Sequence, residues 1–243
     1  TELTRLTQDN DYNIFPCWSP DSRYILYTSK RQNEEMAPTN INIMGANGNN
    51  NREVIKGQFP SWSPDGTKMV FSDVDPLTGS IDIYSINIDG TNKQNLTDTP
   101  DMNEEIPDWS PDGTKIAFSS ERTPVWIMNY DGSNVHPLEN SLYGGSPRWS
   151  PDGERIVFSA RESSEGHISN LYIINADGSG LRQISDLNVN SAAWSPDGTE
   201  LVASVDDPYS HRYNLCIINV ETRAEERCLM DTSDLNEWTP DWS

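Results

Sequence analysis

Short segments in which apolar and polar residues alternate run through the whole chain. Ile116-Ala117-Phe118-Ser119, Ile156-Val157-Phe158-Ser159, Ile83-Tyr84-Ser85-Ile86 and Leu171-Tyr172-Ile173-Ile174 are examples. A period of two over such lengths predicts half-buried strands. No amphipathic stretch of helical period and useful length interrupts them. Turn signals fall between the strands at regular distances. Trp-Ser-Pro-Asp begins at Trp18, Trp62, Trp109, Trp149 and Trp194, and Trp242-Ser243 opens a sixth copy. The Trp residues are 44, 47, 40, 45 and 48 positions apart. A strand-rich repeat of about 40–50 residues predicts a propeller or another β array.

Each repeat reads as four strands. Strand A ends at the Trp and carries Pro two residues earlier (Pro16, Pro60, Pro107, Pro147, Pro240), with Ala192 as the exception. Pro and Asp then fill the second and third positions of a tight turn. Gly66, Gly113, Gly153 and Gly198 take the fourth, where the first repeat has Ser22. Strands B and C follow and lead into a hairpin signal: Asn47-Gly48, Asp89-Gly90, Asp131-Gly132 and Asp177-Gly178. Strand D closes the repeat, as in Asn95-Leu96-Thr97 and Gln183-Ile184-Ser185. There are six A-type and six D-type segments but only five of B and C. Leu3–Thr7 reads as a D strand and Trp238–Trp242 as an A strand, so both are assigned to a sixth unit without its middle strands. Open strand edges invite pairing, which makes self-association into an oligomer or fibre one expectation.

The P-x-W-S-P-D-G string, the I-x-F-S strand and the D-G hairpin resemble the TolB-type, WD-like β-propeller family over nearly the whole chain. The resemblance implies an all-β propeller of four-stranded antiparallel blades, of the six-bladed type, with five complete blades and an incomplete sixth. It implies a single domain over residues 1–243, with repeats starting near 14, 58, 105, 145, 190 and 238. It also implies a structural motif: the Trp rings pack between neighbouring blades, and the motif Asp residues bond their own turns. The family includes periplasmic TolB, propellers attached to prolyl-oligopeptidase-type peptidases, and oligogalacturonate lyases.

The chain has 243 residues with 38 acids against 17 bases, a formal charge of -21. That sign repels phosphate, which argues against nucleic acid and anionic membrane surfaces. No run reaches the roughly 18 apolar residues of a membrane helix. The opening Thr-Glu-Leu-Thr lacks the basic and apolar segments of a secretion signal, as expected of a trimmed, mature product or a cytoplasmic protein.

Strand alternation puts the A–B and C–D turns on one face and the B–C and D–A loops on the other. The loop face holds 20 of the 38 acids and 6 of the 17 bases. Asp9, Asp11, Asp101, Glu104, Glu105, Asp234 and Glu237 lie there, interleaved with Tyr143, His167, His211 and Trp238. A rigid scaffold carries function in such loops, and one sign of charge steers a cationic partner. The expected function is non-enzymatic binding of a protein or basic peptide through this face, in a periplasmic or secreted setting. No cofactor is expected, apart from calcium at Asp73-Val74-Asp75 or Asp206-Asp207, which offer hard oxygen ligands.

Catalysis has little to draw on. There is no G-x-S-x-G, no phosphate loop, and only three His: His136, His167 and His211. The lyase relatives use a His-rich metal site, so a metal-assisted polysaccharide lyase built on His167 and His211 is the competing reading. Folding strands C and D about their turn opposes Tyr84 to Leu96, Tyr172 to Ile184, and Cys216 to Cys228. Opposed Cβ atoms lie about 4.5–5.5 Å apart, so Cys216 and Cys228 are expected to form a disulfide, which belongs to oxidising compartments. Cys17 is expected to be a buried thiol.

Overall fold

A computed structural model describes residues 4–32, 39–120, 124–160, 169–207, 212–222, 225–228 and 240–242. Twenty strands form five antiparallel sheets, each ordered as the chain runs. Blade 1 is β1 Tyr12–Trp18, β2 Tyr24–Lys30, β3 Asn40–Gly45 and β4 Arg52–Lys56. Blade 2 is β5 Gln58–Trp62, β6 Lys68–Val74, β7 Ile81–Asn87 and β8 Gln94–Asn95. Blade 3 is β9 Glu104–Trp109, β10 Lys115–Ser120, β11 Trp126–Asn129 and β12 His136–Pro137. Blade 4 is β13 Gly144–Trp149, β14 Arg155–Ala160, β15 Asn170–Asn175 and β16 Arg182–Ser185. Blade 5 is β17 Val189–Trp194, β18 Glu200–Asp207, β19 Arg212–Asn219 and β20 Glu225–Cys228.

The Trp-Ser-Pro-Asp turns form for a local reason. In each, the Ser carbonyl accepts the amide of the fourth residue, as in Gly66 N to Ser63 O at 2.9 Å. That fourth residue takes positive φ, from 69° to 75° at the four glycines and 55° at Ser22, a region glycine occupies without steric cost. The Ser hydroxyl donates to the turn Asp, at 2.7 Å for Ser19 to Asp21 and 2.6 Å for Ser63 to Asp65. These bonds hold the carboxyls of Asp21, Asp65, Asp112 and Asp197 below the usual range.

Packing between blades is apolar and uses the motif Trp as a wedge. Trp62 of blade 2 sits with Leu26, Ile41 and Ile43 of blade 1, and Trp109 of blade 3 with Val70 and Ile83 of blade 2. Trp149 and Trp194 repeat this against blades 3 and 4. Burying each ring removes a large apolar area from water, so each sheet is stabilised by its neighbour.

Five blades are present, and no sixth sheet, whole or partial, occurs among the described residues. Residues 4–7 and 240–242 carry no strand pairing. The segments expected to be strand remnants instead dock by single contacts. Asp241 Oδ2 accepts the Trp18 amide at 2.7 Å, and Trp242 packs on Ala193, Val202 and Ile217 of blade 5. The segment thus bridges the last blade to the first. At the other end, a Cβ on Gly48 would meet Leu6 O at 2.9 Å, much as one on Gly132 would meet Leu96 O at 2.6 Å. The route to self-association through an unfinished sheet therefore has no such sheet among the described residues.

Two cross-strand registers differ by one residue from expectation. Tyr84 faces Asn95 rather than Leu96, and Tyr172 faces Gln183 rather than Ile184. In blade 4 a β-bulge between Leu171 and Tyr172 absorbs the extra residue. In blade 5 the irregularity lies nearer the turn, between Ile217 and Ile218, so Cys216 faces Cys228. The two sulfurs are bonded.

Candidate functional site

The residue just before each motif Trp belongs to the innermost strand of its blade. Cys17 in blade 1 senses the charges of Asp241, Arg148 and Asp108. These belong to separate parts of the ring, so their side chains converge on its axis. Hydrogen bonds link them from blade to blade. Ser61 Oγ donates to Asp108 Oδ1 at 3.3 Å and accepts the Trp109 amide at 3.2 Å. Asp108 Oδ2 accepts the Trp149 amide at 2.8 Å, as Asp241 does for Trp18. Burial raises the carboxyl of Asp108 and brings that of Asp241 to about 6, while Arg148 pulls both back. Burial, and then Asp241, raises the Cys17 thiol well above its ordinary value. Cys17 is half-buried rather than fully buried, with Sγ 3.1 Å from Pro60 O.

Strand A runs from the D–A loop to the Trp turn, so the residue three before each Trp lies toward the loop face. In blades 1 to 4 that residue is Phe15, Phe59, Ile106 or Ser146, with φ of 53°, 55°, 56° and 54°. Each sits in a β-bulge, where three steps on strand A match two on strand B. Left-handed backbone is unfavourable for bulky and β-branched side chains and costs on the order of 1–3 kcal/mol per residue. The rings of Phe15 and Phe59 meet edge-on at 4.4 Å. Phe15, Phe59 and Ile106, half-buried and strained on three successive A strands, thus make up an apolar collar toward the loop face.

Beside the collar, the loop face of blade 2 concentrates carboxylates. Oxygens of Asp75, Asp82 and Asp98 lie within 4.8 Å of one another, the first two residues being buried. Asn95 Nδ2 donates to Asp82 Oδ2 at 2.6 Å and contacts the Tyr84 hydroxyl at 3.3 Å. Burial, then the charges of Asp75 and Asp82, pushes that phenol up to about 12. Glu104 is buried and accepts hydroxyls from Thr99 and from Thr97, the latter at 3.3 Å. Burial raises its carboxyl to about 7, helped by Asp82. Three convergent carboxylates are the ligand type of hard divalent cations.

The structure rearranges the expected ligands. Asp73 is taken up by Lys93 Nζ at 2.5 Å, so Asp75 groups with Asp82 and Asp98 instead of with Asp73. Asp206 accepts Asn188 Nδ2 at 3.0 Å and joins no such group among the described residues.

Of the expected binding residues, Asp9 and Asp11 border the start of β1, where Asp9 Oδ1 accepts Asn13 Nδ2 at 2.6 Å. Asp101 is exposed, and Glu105 receives Gln58 Nε2 at 3.4 Å. Tyr143 is exposed. Glu104 is turned inward, away from a partner in solvent. His167, His211, Asp234, Glu237 and Trp238 lie outside the described residues, so the cavity expected of the two histidines does too. Asp82, Asp108, Arg148 and Asp241 escaped the sequence reading. Their signals were a charge inside the apolar strand Ile81–Asn87 and the variable residue before each motif Trp, which is charged at Asp108, Arg148 and Asp241.

Comparison with known proteins bears on the same geometry. The family model for the TolB beta propeller domain matches residues 54–243. An uncharacterized Agrobacterium fabrum protein, Atu1656, is 32% identical over 209 residues, covering 79% of this chain and 68% of that protein. TolB from Acinetobacter baumannii superposes with a TM-score of 0.74 at 20% identity, over 90% of this chain and 54% of that one. The chain thus spans about half of that TolB. An oligogalacturonate lyase from Vibrio parahaemolyticus gives 0.65 at 16% identity, over 90% and 66%. At these identities the two structures testify to fold alone.

Proposed function

Since the chain belongs to the TolB beta propeller domain family, we propose that it is a non-catalytic scaffold that binds a protein or basic peptide at the loop end of its axis. The observation that carries this reading is the collar of Phe15, Phe59 and Ile106, held in left-handed backbone on one rim. Strain of that kind persists where the surroundings over-determine it, and it clusters at ligand clamps. The collar offers apolar contact, and Asp9, Asp11, Asp98 and Asp101 around the loop face supply negative potential. Exposed Tyr12 and Tyr143, 56% and 66% accessible, extend the apolar surface outward. Rim charge of this kind sets approach rate and register, while the buried apolar centre sets residence time.

The Cys216–Cys228 bond supports a periplasmic or secreted setting, because structural disulfides persist in oxidising compartments.

Selection of a displayed random-peptide library on the intact chain tests the reading. Recovered sequences are expected to combine Lys or Arg with apolar residues, and their binding is expected to weaken with salt. Phe59→Gly is expected to weaken the best peptide at least about tenfold. Acidic recovered sequences, or affinity unchanged in Phe59→Gly, would overturn the reading.

A further inference from the structure

On the opposite face, the turn face, neighbouring blades meet at clefts that repeat four times. Each has the next blade's motif Trp as its wall and two Trp-Ser-Pro-Asp turns as its lips. Six positions after the preceding blade's own Trp stand Tyr24, Lys68, Lys115 and Arg155 in turn. Three of the four are cations.

The cleft between blades 4 and 5 shows how a cation is held. The Arg155 guanidinium lies 5.0 Å from the Trp194 ring centroid. Its Nη2 reaches Asp152 Oδ2 and Gly198 O, both at 3.4 Å. Its Nη1 is 3.9 Å from Glu221 Oε1, which also lies 3.6 Å from Arg182 Nη2. Arg182 in turn donates to Val220 O at 3.0 Å.

The cleft between blades 1 and 2 has matching residues in the chain but no cation at the position of Arg155. Trp62 stands for Trp194, Asp21 for Asp152, Gly66 for Gly198 and Asp89 for Glu221. Arg52 donates to Ile88 O at 3.3 Å, as Arg182 does to Val220 O. The lips are equally spaced: a Cβ on Gly66 would lie 3.9 Å from Pro20 Cδ, and one on Gly198 3.8 Å from Pro151 Cδ. At the position of Arg155 stands Tyr24, 40% exposed, and a cavity of about 670 Å3 opens, lined by Tyr24, Trp62, Asp21, Asp65 and Arg52 among others. That is the size of small-ligand sites, roughly 300–1,000 Å3. Arg23 does not line it, but its Nη1 lies 3.8 Å from Asp21 Oδ2, so an entering cation shares that carboxylate with Arg23.

We propose that the cleft between blades 1 and 2 is a receptor for a guanidinium group, an arginine side chain presented by a partner polypeptide. The entering group stacks on Trp62 and hydrogen-bonds Asp21 and the Gly66 carbonyl, as Arg155 does with its own set in blades 4 and 5. Planarity suits it to the slot, because a guanidinium stacks on a ring and donates in its own plane at once. Among the charged residues that line the cavity, Asp21 and Asp65 outnumber Arg52. This receptor is separate from the collar at the other end of the axis, and either stands without the other.

Titration of the isotope-labelled intact chain with N-acetyl-L-arginine amide, followed by NMR, tests the proposal. Saturable shifts are expected at the Trp62 indole N–H and at the Asp65 and Gly66 amides. The matching lysine amide is expected to bind at least about threefold more weakly. Tyr24→Arg, which supplies the missing cation from within, is expected to abolish the response. Asp21→Asn is expected to weaken it about threefold or more, and it keeps the test decisive if Tyr24→Arg does not fold. Absence of saturable shifts at Trp62, equal binding of both amides, or an unchanged response in both variants would overturn the proposal.

Discussion

Asp241→Asn is expected to stabilise the protein in full at pH 8 and by only about a third as much at pH 4.5. The Asp241 carboxylate accepts the Trp18 amide at 2.7 Å while enclosed by protein. Burial raises its pKa from 3.8 to about 6. The folded state therefore holds this proton more tightly than the unfolded chain. For a raised carboxyl, the stabilising contribution is fully present below about pH 3.8 and is lost as pH rises from there through about 6. Each tenfold gain in proton affinity corresponds to about 1.4 kcal/mol, so the ionised form costs up to ~3 kcal/mol above that point. Arg148 and Asp108 face the same group, so about 2 kcal/mol is the working figure. Asparagine keeps an acceptor for Trp18 and removes the charge. Chemical denaturation of both proteins at pH 4.5 and 8 measures the difference. A variant no more stable than the parent at pH 8, or equally stabilised at both pH values, would refute the docking of this segment against blade 1. Asp241→Ala, which leaves the Trp18 amide unpaired, is expected to be destabilising by about 1–3 kcal/mol.

Reduction of Cys216–Cys228, which closes a separation of 12 residues, is expected to cost about 3 kcal/mol and to lower Tm by roughly 6–12 °C, read by calorimetry with and without reductant; an unchanged Tm and intact mass would contradict it. Gly132→Ala places a Cβ 2.6 Å from Leu96 O at φ 84°, so denaturation should show a loss of more than about 1 kcal/mol. Ile106→Gly relieves strain at φ 56° while removing apolar surface. Its net effect on denaturation should lie well below the roughly 2–5 kcal/mol typical of truncating a buried isoleucine. Acid titration should add a separate loss below about pH 4. There the lowered carboxyls of Asp21, Asp65, Asp112 and Asp197 protonate and release the Ser19, Ser63, Ser110 and Ser195 hydroxyls.

The blades were legible because their signals are local. Pro at the second turn position, Gly at the fourth and a hydroxyl bonding the Asp are all satisfied within six residues. The disulfide came out as expected although the same register rule missed by one residue in blades 2 and 4, because the irregularity of blade 5 lies between Ile217 and Ile218. The bulges at Phe15, Phe59, Ile106 and Ser146 were not legible, because no glycine marks them; the surrounding sheet imposes a backbone these residues do not prefer. The sixth unit was misjudged because Pro240-Asp241-Trp242 carries the strand A pattern without a strand B partner. What remains is a carboxylate and an indole that dock singly. Asp82 and Asp108 were missed because their roles depend on neighbours 16 and 41 residues away, Asp98 and Trp149. Such pairs appear only once the ring is assembled.

The claim that recognition occurs at the loop end of the axis meets its most direct test in hydrogen exchange. The intact chain would be compared with and without the tightest selected peptide. Protection is predicted at residues 12–15, 57–59, 104–106 and 143–146, where the collar and its loops lie. Protection confined to the Trp-Ser-Pro-Asp turns, with the collar segments exchanging as in the free chain, would contradict it.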